Sequence, residues 1–443
     1  MLTFIKNNWE KAFFFVGILL IAVGYGIAVG KYRVWPHDTL NQAADAFADW
    51  RANWRHYTQS RSKYLIPTQE TAGGVTVNDP ALTYPGYTFM TAYRDGKFGA
   101  TLVDMEGKVL HRWDVAMAEL FPTPPAHMKA VPPDWDINIQ GSALLPNGDV
   151  ILNIYSTGLV KLDRCGKPVW ILPEETHHSV DVLPDGTILS PIRLETMTAP
   201  MPSRRRIGMS DMGNVVDDGV ALISADGKVL RTASMLDAIH ASGREGLFLA
   251  GSGNESRTND GDPVHLNDVE MLRPEIAGAF PIFKAGDLLV SFRSTNTIAV
   301  LDGETWEMKW SMTGLFHGQH DPDFLPNGHI LVYDNDIFGD SLNASRSKVL
   351  EIDPITQEIV WSYDGDDAVR FYASSRGMQV PLPNGNVLIS DPFGGRILEV
   401  SRSAGDKLAW EYVNLAEPGF VGMVLDIERI DPATLTFVGQ PCG

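Results

Sequence analysis

Four short phrases of one pattern punctuate the chain: Leu145-Pro146-Asn147-Gly148, Leu183-Pro184-Asp185-Gly186, Leu325-Pro326-Asn327-Gly328 and Leu382-Pro383-Asn384-Gly385. Proline presets φ for a turn, and glycine takes the left-handed position that follows. Runs of apolar and β-branched residues flank the phrases, as in Ile151-Leu152 and Ile330-Leu331-Val332. Each phrase is therefore the tip of a β-hairpin. A hairpin that recurs along a chain marks a repeat architecture, in which no unit buries its apolar face alone.

A second phrase recurs between these: a turn, then a short strand that often ends near tryptophan. It appears at Glu106-Gly107-Lys108-Val109 before Trp113, at Cys165-Gly166-Lys167 before Trp170, and at Asp226-Gly227-Lys228-Val229. It returns at Asp302-Gly303 before Trp310, at Pro354 to Gln357 before Trp361, and at Gly405-Asp406-Lys407 before Trp410. These read as six outer hairpins. Asp95-Gly96-Lys97 and Lys284-Ala285-Gly286 join the four Leu-Pro phrases to make six inner ones. Six four-stranded units predict an all-β chain, a six-bladed β-propeller over 86–443, since closure leaves only short, protected edges. Long insertions at 121–133, 196–219 and 242–263 stretch the spacing and are expected to be functional or mobile loops.

Residues 12–30 form an uncharged, mostly apolar run of 19 residues, with Lys6 and Lys11 before it and Lys31 and Arg33 after it. This is long enough for a transmembrane helix and longer than the apolar part of most signal peptides. Residues 1–36 are therefore expected as an uncleaved, single-pass membrane anchor, with the propeller outside the cytoplasm. Residues 37–85 are expected as a helical linker. In it Leu40, Ala43, Ala44, Phe47, Trp50, Trp54 and Tyr57 place a short amphipathic helix over 38–57. The net charge of −19 excludes nucleic acid as a partner. Two cysteines, Cys165 and Cys442, are too few for a disulfide framework. They are either unrelated thiols or, in an oxidising compartment, one bond holding the C-terminal tail to a blade.

Residues equally far from a tight turn lie at the same end of a hairpin. His178 is eight residues before Gly186 and His320 eight before Gly328; Arg193 and Arg293 are each seven after a turn glycine. His265 begins the inner strand of the unit that holds Arg293. These groups are expected at one mouth of the central channel, where imidazoles beside a guanidinium suit an oxyanion. Three histidines share the pattern His-x-x-Asp, with Asp181, Asp268 and Asp323. These aspartates either orient the imidazoles or bond neighbouring backbone. No P-loop, G-x-S-x-G elbow or cysteine cluster is present, so no cofactor and no metal is expected.

The segments His177-His178-Ser179-Val180-Asp181, Val264-His265-Leu266-Asn267-Asp268, Leu289 to Asn296 and Gly318-Gln319-His320-Asp321-Pro322-Asp323, followed by Leu331 to Asn335, resemble the bacterial arylsulfotransferases that do not use the nucleotide donor PAPS. The similarity runs in family order from about Gly86 to Trp410. It implies a six-bladed propeller that moves a sulfuryl group from a phenolic sulfate ester to a phenolic acceptor. It further implies that His320 is the nucleophile that becomes sulfated, and that His178, His265 and Arg293 bind the sulfuryl oxygens. Unlike well-studied members, this chain keeps an apolar N-terminal run and lacks a large N-terminal β domain. Phe371 and Tyr372 are expected as apolar walls for an aromatic substrate, with Arg376 at the mouth. The expected partners are donor, acceptor and membrane, with a homo-oligomer or larger membrane complex. Two competing readings are a non-catalytic anchored propeller acting as a binding or structural subunit, and a metal-dependent hydrolase or lactonase with His/Asp ligands.

Overall fold

The structure, a computed structural model, describes residues 9–32, 34–37, 39–40, 43, 47, 50, 62–197, 215–249, 262–337, 346–365 and 369–442. The chain divides into two compact units, Met1–Lys63 and Tyr64–Gly443. In the first, the helix Trp9–Tyr32 spans 24 residues and holds an 18-residue stretch with a mean hydropathy of 2.5. At about 1.5 Å per residue it is long enough to cross a bilayer. Most of the amphipathic helix expected over 38–57 lies outside the described residues.

In the second unit the described strands form six antiparallel sheets of four or five strands and one of three. Sheet 1 joins Val424–Ile430 to Tyr87–Arg94, Lys97–Val103 and Val109–Asp114; sheet 2 is Ile139–Leu144, Val150–Ile154, Gly158–Leu162 and Pro168–Leu172. Sheet 3 is Asp181–Val182, Ile188–Met197, Val215–Ile223 and Val229–Ser234; sheet 4 is Leu266–Met271, Leu288–Phe292, Thr297–Leu301 and Met308–Thr313. Sheet 5 is His320–Phe324, Ile330–Asp334, Lys348–Asp353 and Glu358–Tyr363. Sheet 6 is Gln379–Pro381, Val387–Asp391, Arg396–Ser401 and Lys407–Val413, with Gly74–Asn78 added at its edge. The four Leu-Pro phrases each join the first and second strands of a sheet.

Two expectations are corrected. Asp95-Gly96-Lys97 joins the second and third strands of sheet 1, not the first pair. That first pair is made by strands near opposite ends of the unit, with Ile430 opposite Tyr87, and needs no tight turn. The helical segment expected over 37–85 contains the strands Leu65–Pro67 and Gly74–Asn78. The β-branched run Val75-Thr76-Val77 pairs with Lys407–Val413, and Val75 packs on the core around Trp410.

The recurring tryptophans link one sheet to the next. The indole N–H of Trp113 donates to Gly148 O (3.0 Å), Trp170 to Ala225 O (3.0 Å) and Trp310 to Pro354 O (3.1 Å). Trp361 donates to Asp406 (3.2 Å), and Trp410 returns from sheet 6 to Met105 O (3.0 Å) in sheet 1. Sheet 3 has Arg231 in this role, bonded to Glu304 O and Thr305 O of sheet 4. Each such bond contributes about 1 kcal/mol net, and the ring burial adds more.

The first strands are linked in the same order. Ser142 donates to Asp426 (2.8 Å), the Val269 N–H to Ser179 Oγ (3.0 Å), the Phe324 N–H to Glu270 (2.8 Å) and the Gln379 N–H to Asp321 (3.0 Å). Met378, entering sheet 6, accepts from the Ile427 N–H of sheet 1. Between sheets 2 and 3 the backbones touch: a Cβ on Gly141 would lie 2.1 Å from His178 O, so only glycine fits there. Cys165 and Cys442 form a disulfide with Cα atoms 5.5 Å apart, which ties the C-terminal tail to the outer turn of sheet 2.

Candidate functional site

His320 opens the first strand of sheet 5. Its Nδ1 lies 2.6 Å from Asn335 Oδ1 and 3.0 Å from Gly318 O. The Asn335 amide donates to Ala373 O (2.8 Å) and Arg376 O (2.6 Å). With both amide hydrogens spent on carbonyls, Asn335 can offer the ring only its oxygen. The His320 proton is thereby assigned to Nδ1, and Nε2 keeps a lone pair. Nε2 accepts one contact, the Arg376 backbone N–H at 3.2 Å. Burial, then the charge of Arg293, holds His320 well below the usual imidazole range, so it is neutral at neutral pH.

His178 and His265 both have left-handed backbones, with φ of 57° and 50°. Each lies just before its sheet's first strand, and such a conformation costs on the order of 1 kcal/mol in a non-glycine residue. The bend brings the two rings together: their centroids are 5.3 Å apart, and His178 is 6.2 Å from His320. Burial, then the neighbouring His177, His265, His320 and Arg376, pushes His178 well down. His265 differs. Asp262 accepts its backbone N–H (2.8 Å) and meets its Nδ1 (2.7 Å). Burial opposes the charge on His265, but Asp262 outweighs it and raises the pKa.

Arg293 follows the second strand of sheet 4, is 7% exposed, and reaches Ser374 O at 3.5 Å. Burial, then Arg376, lowers it to about 10, so it remains a cation at neutral pH. Arg376 is held at φ 66° and is likewise lowered by burial. A cavity of about 500 Å³ is lined by His178, His320 and Arg376, and by Asp181, Asp268, Glu270, Asp321, Asp323, Asp426 and Glu428 of the first strands. His265 and Arg293 are not part of that lining. Burial raises the carboxyls: Asp426 and Glu428 to about 7, and Asp268, Glu270, Asp321 and Asp323 well above their ordinary values.

The four residues expected at the mouth are thus placed close together in and beside this cavity. Phe371 is not a cavity wall: it is buried between Tyr333 and Tyr363, with centroids 6.1 and 5.9 Å away, because sheets 5 and 6 close their core over it. Tyr372 beside it does not line the cavity either. The aspartates of the His-x-x-Asp phrases bind neighbouring strands. Asp181 accepts from the Met271 N–H (2.9 Å) and from Arg273, and Asp323 accepts from Gln379 (3.0 Å). Arg193 pairs with Glu175 (2.9 Å) and Asp218 (3.5 Å).

Sequence reasoning gave no role to Asn335, Asp262, Asp218 or Tyr155, whose ring centroid is 5.6 Å from His178. Asn335 was within reach of it. His320 pairs directly with Tyr333, so a polar residue two further on lies beside the histidine. Asp262 lies at the end of a long insertion, where hairpin offsets say nothing. Among the described residues no group of three or more His, Cys, Asp or Glu is arranged to hold a metal ion. Chemically, the cluster is a neutral imidazole whose Nε2 lone pair accepts only a backbone N–H, beside fixed cations. It suits attack on a group whose oxygens carry negative charge.

A family model described as arylsulfotransferase (ASST) matches residues 141–415. Among solved structures the chain is similar to a protein of unknown function from Bacteroides caccae, with 13% identity and a TM-score of 0.49, covering 78% of this chain and 98% of that one. No curated protein matches the chain.

Proposed function

The chain belongs to the arylsulfotransferase family, and from that premise we propose that it moves a sulfuryl group from a phenolic sulfate ester to a phenolic acceptor, without PAPS, through a sulfohistidine at His320. The observation that carries this reading is the fixed tautomer of His320. Asn335 holds the proton on Nδ1, and the neutral Nε2 is left as a nucleophile within a cationic cluster. In the first half-reaction Nε2 attacks sulfur, the S–O bond to the aryl group breaks, and its electron pair leaves on the phenolate. The Arg376 N–H releases Nε2 as the N–S bond forms. In the second half-reaction a phenol oxygen attacks sulfur, its proton passes to a neighbouring base, and the N–S bond breaks with its electron pair returning to Nε2, restoring neutral His320. Arg293, His265 and Arg376 hold the negative oxygens, and His178 lies beside the reacting group.

The order of contacts between first strands and between tryptophans supports a six-bladed propeller over 86–443, to which the strand at 74–78 adds an edge. Residues 1–36 act as a membrane anchor and 37–85 as a connecting segment, with the propeller in the periplasm of a bacterium. The Cys165–Cys442 disulfide agrees with an oxidising compartment. Mass spectrometry of the mature chain should find the N-terminal segment retained; a start near Lys31 would mean cleavage.

The decisive experiment is to incubate the protein with a sulfur-labelled nitrophenyl sulfate, quench, and map the label. Label on a His320 peptide, absent from His320→Ala, is the expected result. Labelling of His320→Ala at the wild-type rate overturns the assignment. If no aryl sulfate is turned over, the non-catalytic propeller replaces it.

A further inference from the structure

His178 does not stand alone. Its Nδ1 lies 2.9 Å from Nδ1 of His177, with the rings near perpendicular at 88°. His177 is 2% exposed, does not line the cavity, and has its Nε2 3.4 Å from Asp218 Oδ1. That distance is long for a hydrogen bond and is read here as an ion-pair contact. Asp218, itself 1% exposed in the third strand of sheet 3, is fixed by the Leu266 N–H (3.2 Å) and by Arg193 (3.5 Å). Arg193 is shared with Glu175 (2.9 Å). Away from His177, His178 has His265, His320, Arg376 and Tyr155 around it.

Two imidazole nitrogens at hydrogen-bond distance hold one proton between them. With that proton on His177, both its nitrogens carry hydrogens, Asp218 balances the imidazolium, and His178 bears its own hydrogen on Nε2 as a donor. With the proton moved to His178 Nδ1, His177 is neutral and His178 Nε2 is an acceptor. The carboxylate stays ionised in both states, consistent with its depression to about 2, where His177 outweighs the effect of burial.

Resting on the sulfuryl-transfer reading above, we propose that Asp218 and His177 are positioning residues of a two-proton relay that switches His178 Nε2 between acid and base in alternate half-reactions. In the first, Nε2–H is given to the departing phenolate oxygen as the S–O bond breaks, and the His177 Nδ1 proton passes to His178 Nδ1. In the second, the acceptor phenol gives its proton to Nε2 as its oxygen attacks sulfur, and the Nδ1 proton returns to His177. One proton enters and one leaves per turnover. The relay also assigns the substrate class it serves: phenols whose leaving groups are too basic to depart without a proton.

The test measures the first half-reaction against aryl sulfates of graded leaving-group basicity. Wild type should show a shallow dependence. Asp218→Asn should leave nitrophenyl sulfate within about 3-fold but slow phenyl sulfate about 10²-fold, the range of one acid–base contribution. His177→Gln carries the same test if Asp218→Asn does not fold. With phenyl sulfate and unaltered protein, rates in mixed light and heavy water should give a curved plot, the mark of two protons in flight. Equal slowing of all substrates, or a linear plot, overturns the relay while leaving sulfuryl transfer standing. Absence of turnover by wild type with every aryl sulfate overturns both.

Discussion

The entry ends of the first strands and their middles carry opposite chemistry in and beside one cavity. At the entries stand His178, His265 and His320, with Arg293 and Arg376 close by. Further along stand Asp268, Glu270, Asp321, Asp323, Asp426 and Glu428. Burial works against charge in both regions, lowering His178 and His320 and raising the carboxyls. The regions differ in which groups can escape charge by exchanging a proton. A carboxyl or an imidazole can; a guanidinium at about 10 cannot at neutral pH. A wall of acids in a chain of net charge −19 repels a sulfate ester less than its count suggests, because burial raises its carboxyls toward the neutral form, while two arginines remain to attract one.

If the entry cluster does the chemistry, removing its nucleophile should have the largest effect. His320→Ala is expected to lower turnover of nitrophenyl sulfate by roughly 10⁴-fold or more, with fold intact by circular dichroism. A residual rate within 10-fold of wild type, roughly the size of a supporting contact, would move the chemistry elsewhere. Arg293→Lys comes next. It keeps a cation but loses the planar fork, and should cost about 10²-fold in kcat/KM. Full activity in that variant would mean charge alone is enough, and would shift the weight to Arg376. Asn335→Ala should cost about 10- to 100-fold, mainly in kcat, since the His320 tautomer is no longer fixed but the oxygen-binding groups remain. The pH profile sharpens the same contrast. Because His320 is held below 6.5, the acid limb of wild-type kcat should lie well under that value, and an acid limb at or above it would contradict the neutral nucleophile.

Hairpin arithmetic could bring His178, Arg293 and His320 together because side-chain position along a strand follows from distance to a turn, and His265 joined them as the residue that begins its strand. The same arithmetic failed for Asp95-Gly96, because the first pair of sheet 1 joins strands from opposite ends of the unit and no local phrase encodes it. Phe371 was misplaced for another reason: an aromatic in a loop reads the same whether it faces a cavity or a core. Asp262 and Asp218 were missed for a third reason: each acts on a histidine through a contact whose partner lies across an insertion or in another strand. The tryptophan phrase was read only as punctuation. Its purpose, an indole N–H reaching the next sheet, required knowing which sheets adjoin.

The smallest expected effect on activity tests the acidic region. Asp426→Asn should leave kcat within about 2-fold, since that carboxyl lies on sheet 1, which supplies none of the entry histidines or arginines, and an amide nearly matches a protonated acid in shape. Its effect on stability should depend on pH. The folded pKa is about 7 and the ordinary value 3.8, so the folded state holds a proton that the unfolded chain releases in between. The stability this lends is full below the unfolded value and is lost as pH rises through about 7. The amide does not titrate, and Ser142 can still donate to its oxygen. The variant should therefore gain on wild type between about pH 5 and about pH 8, with Tm rising relative to wild type by at least about 2 °C. A gain that is the same at both pH values would mean that Asp426 stays ionised when buried, and that the arginines at the entry attract sulfate against a charged wall rather than beside a neutral one.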